Sequence, residues 1–220
     1  LMAHAAFLRV SQRIAAADLR RSNAWLAGFA ADDQSLVGQS AMELLSARSR
    51  PAGERLSGRF DLPAPLYRAI VQQVAAALHT QDTRGREFVA VSEILAGHDE
   101  AQGLPHIATR LALQLAAEGA FGQLRDPQQA GIDLFAGSLA AELDCTWHDI
   151  VRILAEGGPR LVVLLRAADF SRDDAEPLLG VLGSGPSIDA LARYDELSKD
   201  AARRILTGRS VPQVEISNDA

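Results

Sequence analysis

The chain has 220 residues, and its 48% hydrophobic side chains supply a sizeable core for one large domain or two small ones. A formal net charge of −6 argues against a dedicated nucleic-acid binder, which usually shows a basic field. The single cysteine, Cys145, excludes an intramolecular disulfide, and no apolar run approaches the roughly 20 residues of a membrane span.

Only 5% of the residues are aromatic, so the core must be built from alanine, leucine, valine and isoleucine. Lys199 is the one lysine, and nearly all positive charge is arginine. Arginine and alanine both suit helices. The opening Leu1-Met2-Ala3-His4 lacks the basic-then-apolar layout of a secretory signal. These features point to a soluble, cytoplasmic protein.

The first predicted helix runs from Met2 to Ala17, with Phe7, Val10, Ile14 and Ala17 at helical spacing. Ser22 is placed as the cap of a short second helix holding Trp25, Leu26 and Phe29. Asp32-Asp33 breaks the pattern, and Leu36 to Ala47 resumes it despite Gly38. Pro51 suits a first helical turn, opening a short helix over Ala52 to Arg59.

Phe60-Asp61-Leu62-Pro63 reads as helix end, cap and restart. The clearest amphipathic helix follows, its stripe made of Leu66, Ile70, Val74, Ala77 and Leu78, with Arg68, Gln72 and Gln73 opposite. Phe88-Val89-Ala90-Val91 has strand propensity, but a lone strand has no partner, so Phe88 to Leu95 is assigned as helix. Pro105 opens a long helix carrying Ile107, Leu111 and Leu115. Asp126-Pro127 starts one more, burying Ile132, Phe135, Leu139 and Leu143.

Thr146 to Asp149 resembles a capping box with Asp in place of Glu. Gly157-Gly158-Pro159 is a stop and restart. Leu161 to Ala168 is apolar nearly all round and belongs at the centre of the core. Ser171 to Asp174 repeats the capping pattern ahead of Leu178, Leu179 and Leu182. A final helix over Ile188, Leu191, Tyr194, Leu197, Ala201 and Ile205 ends at Gly208.

The expected architecture is therefore all-α: an irregular bundle of stacked helical hairpins, HEAT-like, without a regular repeat period. It forms a single domain over 1–208, with 1–123 and 124–208 as candidate subdomains. Residues 209–220 read as an extended or disordered tail.

Three stretches of the carboxy-terminal half carry a family likeness. Gly131-Ile132-Asp133-Leu134-Phe135-Ala136-Gly137-Ser138-Leu139-Ala140 resembles an "LF…ALA" signature. Ile150 to Pro159 is similar to a "V..LL..GGP" segment, and Leu164 to Phe170 to an "LYRAAGL" element, with Asp169 at the glycine position. Over roughly Asp126 to Leu182 the chain resembles the bacterial family catalogued as domain of unknown function 2336, found mostly in alphaproteobacteria. That resemblance implies an all-helical, HEAT-like protein and no established activity.

No catalytic or metal-binding constellation rises above background in the sequence, and no cofactor is expected. His98 and His106, with Asp99 and Glu100 beside them, are the densest candidate metal ligands, but they match no known ligand spacing. Cys145, Trp147 and His148 read more simply as a capped helix start than as a thiol nucleophile with its base. Arg48, Arg50, Arg55 and Arg59 form the most basic stretch and are candidates to bind an anionic ligand. Trp25 and Phe29 are candidate contact aromatics. The function these features favour is a non-catalytic module for protein interaction or regulation, binding a protein partner or a second copy. The alternative is a sensor of small anions with a pocket between helices.

Overall fold

The computed structural model describes residues 16–50, 61–78, 84–182 and 194–208. Among them there is no strand; the protein is all-α. The helices are α1 (Ala16–Ala30), α2 (Leu36–Ser49), α3 (Ala64–Leu78), α4 (Arg84–Ala96), α5 (Leu104–Ala117), α6 (Phe121–Leu124), α7 (Pro127–Ala130), α8 (Ile132–Leu143), α9 (Trp147–Glu156), α10 (Gly158–Ala167), α11 (Arg172–Leu182) and α12 (Lys199–Leu206). A 3-10 turn covers Glu100–Gln102. No helix among the described residues is long and apolar enough to cross a membrane. The helix expected over Met2–Ala17 (apart from its last two residues), the Ala52–Arg59 helix, the start of the last helix and the 209–220 tail lie outside the described residues.

Short polar side chains set many of the starts. Ser35 accepts from the Gly38 amide at 2.8 Å, and Gly38 does not interrupt α2. In both capping boxes the hydroxyl accepts from an amide and donates to an aspartate: Thr146 with Asp149, and Ser171 with Asp174. Asp substitutes for Glu in this reciprocal arrangement by accepting a hydrogen bond from the hydroxyl.

Four expectations are corrected. Ser22 is not a cap; it lies inside α1 and is completely buried. The helix expected after Asp126 is two elements, because Gly131 adopts a φ of +83° and ends α7 after one turn. The last helix does not run unbroken through Tyr194 and Leu197; residues 194–196 form a turn, and Ser198 caps a new start at Lys199. Asp61 precedes α3 but caps another helix, its Oδ1 accepting from the Leu104 amide of α5 at 2.8 Å.

One buried apolar cluster extends from Leu26 to Ala202 and crosses the 123/124 boundary. Its most extensive helix–helix contact joins α5 to α8. Gly137 permits that approach, since a Cβ there would lie 2.8 Å from the Ala108 backbone. Leu161, Leu164 and Leu165 of α10 are completely buried, as the apolar run predicts. Among the described residues, nothing between Ala47 and Leu104 contributes to the cluster. α3 and α4 pack on each other, and no other described helix contacts either extensively. The clearest amphipathic helix in the sequence thus stands outside the core.

The far end of the core is closed by cations at a helix terminus. The carbonyls of Ala167, Ala168 and Asp169, at the end of α10, accept from Arg203 and Arg125. Asp169 itself turns to a φ of +60°, and Lys199 at 2.9 Å holds its carboxyl below the usual carboxylate range. Tyr194 is completely buried and donates its hydroxyl to the Phe170 carbonyl at 3.0 Å. Burial pushes that phenol from an ordinary 10.0 up to about 12, against the lowering effect of Arg166.

This phenol gives stability an alkaline limit. The folded state holds the Tyr194 proton more tightly than the unfolded chain, so its contribution is intact below pH 10.0 and is lost as pH rises through about 12. Denaturation midpoints measured across that window are expected to fall. Tyr194→Phe should flatten the fall while costing about 1 kcal/mol at neutral pH; an equal slope in the variant would assign the effect elsewhere.

Candidate functional site

Asp133 stands in the apolar run from Ile132 to Leu143, and its side chain is only 4% exposed. A carboxylate at that depth requires a partner. The partner is Arg48, from the last turn of α2, itself 8% exposed. Its Nε donates to Asp133 Oδ2 at 2.6 Å, and Nη2 to Asp133 Oδ1 at 2.5 Å. The remaining donors reach Ser22 Oγ at 3.0 Å, Asn23 Oδ1 at 2.7 Å and the Ala130 carbonyl at 3.0 Å. All five guanidinium N–H groups are therefore used.

Asp133 is also tied to its own surroundings. Its Oδ1 accepts from the Leu134 amide, and its carbonyl accepts from the Trp147 indole at 3.0 Å. Gly131 is shaped to the pair: a Cβ there would lie 2.5 Å from Arg48 Nη2 and 2.8 Å from Ser22 Oγ. The node joins α1, α2, α7 and α8, and leaves Arg48 no N–H for a ligand.

Of the other candidate arginines, Arg50 donates to the Gln102 carbonyl at 2.8 Å, while Arg55 and Arg59 lie outside the described residues. Trp25 and Phe29 form an edge-to-face pair with ring centroids 5.2 Å apart. Both are half-buried against the core, and neither is a freely exposed anchor.

The two histidines do not converge. His98 stacks on Tyr67 at 4.5 Å and donates Nε2–H to the Leu62 carbonyl at 3.0 Å. His106 is exposed in the first turn of α5. Among the described residues no three His, Cys, Asp or Glu side chains gather around one point. His148 donates Nε2–H to the Asp61 carbonyl at 2.9 Å rather than facing Cys145. The half-buried Cys145 donates to the Leu143 carbonyl, and burial, then Asp149 and Asp144, push its thiol pKa up. That environment disfavours a thiolate nucleophile.

Residues 61–64 thus form a polar clasp. Asp61 caps α5, Glu100 accepts from the Ala64 amide at 3.0 Å, and two histidines hold the carbonyls between. Beyond this clasp α3 is thinly covered: Leu66 is 47% and Val74 52% exposed, and Val89 and Ile94 of α4 are similarly open. A cleft of about 410 Å³ lies elsewhere, between Arg125, Asp126, Phe170, Asp173 and Pro177. Arg125 is held there between the Phe121 and Phe170 rings, 4.9 and 4.5 Å from their centroids. Aspartates border this cleft, and its arginine already serves the α10 carbonyls, so it is poorly suited to an anion.

Asp133 and Arg125 are polar residues whose importance the sequence reading missed, and Asp61, read as a cap, serves a different helix. Asp133 had a signal, a lone acid within an apolar helix. Arg125 acts across a long sequence separation and had none. No family model, no curated protein and no solved structure matches this chain.

Removing one partner of the buried pair should cost far more than removing both. Arg48→Ala is expected to lose about 3–5 kcal/mol because Asp133 is left buried and unpaired. Arg48→Met combined with Asp133→Leu should recover part of that loss in equilibrium denaturation. Singles and double of equal cost would show that the pair is not a coupled unit.

Proposed function

We propose that the protein is a non-catalytic helical module for protein interaction, and that the α3–α4 hairpin presents its contact surface. The observation that carries this reading is the position of α3. Its apolar stripe is the most regular in the sequence, yet Leu66 and Val74 stay about half exposed, outside the buried cluster. Scattered exposed leucines need no explanation, but an apolar stripe on an element held by polar clasps fits a docking face. A regulatory role would follow from occupancy of that face.

The likeness to the domain of unknown function 2336 family belongs to the same proposal. Asp169 takes the left-handed conformation at the position where the family pattern has glycine. Helices α8 to α11 each contact the next, which suits HEAT-like stacking. The anion-sensor alternative loses Arg48 to the buried pair and would rest on Arg50, Arg55 and Arg59.

The test is a double variant, Leu66→Glu with Val74→Glu. Both side chains lie outside the core, so stability should shift by no more than about 0.5 kcal/mol per site. Association, read by native mass measurement and by retention of proteins from source lysate, should be lost. A chain that stays monomeric, retains nothing, and is stabilised by organic anions in a thermal-shift screen would favour the sensor.

A further inference from the structure

Helices α3 and α4 carry almost nothing into the interior. Among their described side chains only Tyr67 is buried, and it lies outside the apolar cluster that unites the other helices. Tyr67 stacks instead on His98, with ring centroids 4.5 Å apart. Apolar burial is the main source of local stability, so an element with few buried side chains opens more readily than the core.

The contacts at the base of this hairpin fall into two groups. One ties its two ends together beside the turn at Glu100–Gln102. His98 donates to the Leu62 carbonyl at 3.0 Å, Glu100 accepts from the Ala64 amide at 3.0 Å, and Tyr67 covers His98. The other group reaches the body, and among the described residues both of its hydrogen bonds end on Asp61. The carboxylate accepts from the Leu104 amide of α5 at 2.8 Å, and the carbonyl accepts from His148 of α9 at 2.9 Å. Arg50 donates to the Gln102 carbonyl at 2.8 Å and keeps the turn itself on the body.

We infer that the α3–α4 hairpin is a separately opening unit, released as a whole while α5 and α8 to α10 stay folded, with Asp61 as its latch and the Glu100–Gln102 turn as its hinge. The inference goes beyond the contact-surface reading and does not depend on it, because opening is a property of the chain alone. Two arguments carry it. Each hydrogen bond of the latch contributes roughly tenfold or less to the closed population. Two such bonds hold the hairpin far less firmly than the interior holds α8, which has 10 buried residues among its 12. Helices of 15 and 13 residues are also marginal on their own in water, so once released α3 and α4 unwind and their amides exchange together. Opening removes the cap of α5, so release is felt at Leu104, where the core begins. A partner that binds one position of the hairpin shifts this equilibrium by the difference in its affinity for the two.

Native-state hydrogen exchange of the full chain, read by mass spectrometry at denaturant concentrations below the unfolding transition, tests the inference. Peptides of α3 and α4 are expected to exchange in step, with protection at least about a hundredfold below that of α8 and α10. His148 is 87 residues from Asp61 and on a different helix, yet His148→Ala should speed exchange in both α3 and α4 about five- to tenfold and leave α8 unchanged. Asp61→Ala should do the same and also expose the first turn of α5. Arg152→Ala, which removes an exposed ion pair of α9, should leave the hairpin unaltered. Exchange of α3 and α4 at the rate of α8 overturns the inference, as does exchange in separate steps or graded inward from the ends of each helix. A hairpin indifferent to both Asp61→Ala and His148→Ala overturns it too, and so does an α8 accelerated equally by His148→Ala. Association through Leu66 and Val74 is read separately and stands or falls without these outcomes.

Discussion

The buried Arg48–Asp133 pair is the constraint on which the amino-terminal half of the fold is organised. The Arg48 guanidinium of α2 donates to five acceptors from α1, the end of α7 and the start of α8. Each helix must be in place for the others to be satisfied, because a missing acceptor would leave a buried donor uncompensated. Apolar packing tolerates small slides of one helix on another, whereas a forked, planar donor set does not. The pair therefore fixes register where an alanine- and leucine-rich core specifies it only loosely. The kink at Gly131 belongs to the same device, since its φ of +83° and lack of a side chain leave the space that Arg48 fills.

The carboxy-terminal half uses a different solution. There the end of α10 is closed by Arg125 and Arg203, which reach its last carbonyls from outside α10, and by Tyr194 on the following carbonyl. Arg125 lies between two phenylalanine rings, so its charge is stabilised by aromatic faces as well as by carbonyl oxygens. In a chain with few aromatics, Phe170 and Tyr194 serve these contacts as well as filling the core.

Between the two halves, the α3–α4 hairpin is joined mainly by hydrogen bonds at residues 61–64 and by one stacked Tyr67–His98 pair. An element attached in this way adds little to the buried apolar area and keeps its own apolar stripe available. Stability and the proposed contact surface are thus carried by different parts of the chain, and changes on one need not disturb the other.

Periodicity and capping residues were enough to establish the all-helical class and many helix starts: Thr146, Ser171 and the Gly157 break are local signals whose physics acts within four residues. Local signals failed where distant groups compete for the same atoms. Ser22 has the composition of a cap, but its hydroxyl is buried against Ala130, over a hundred residues away. Asp61 has the position of a cap and serves a helix beginning at Leu104. Arg48 reads as one member of a surface basic stretch until Asp133 is brought to it. The amphipathic pattern of α3 determines that it is a helix and which side is apolar. Whether that side is covered depends on what else the chain packs there, and burial is a property of the whole assembly of helices that no single helix encodes.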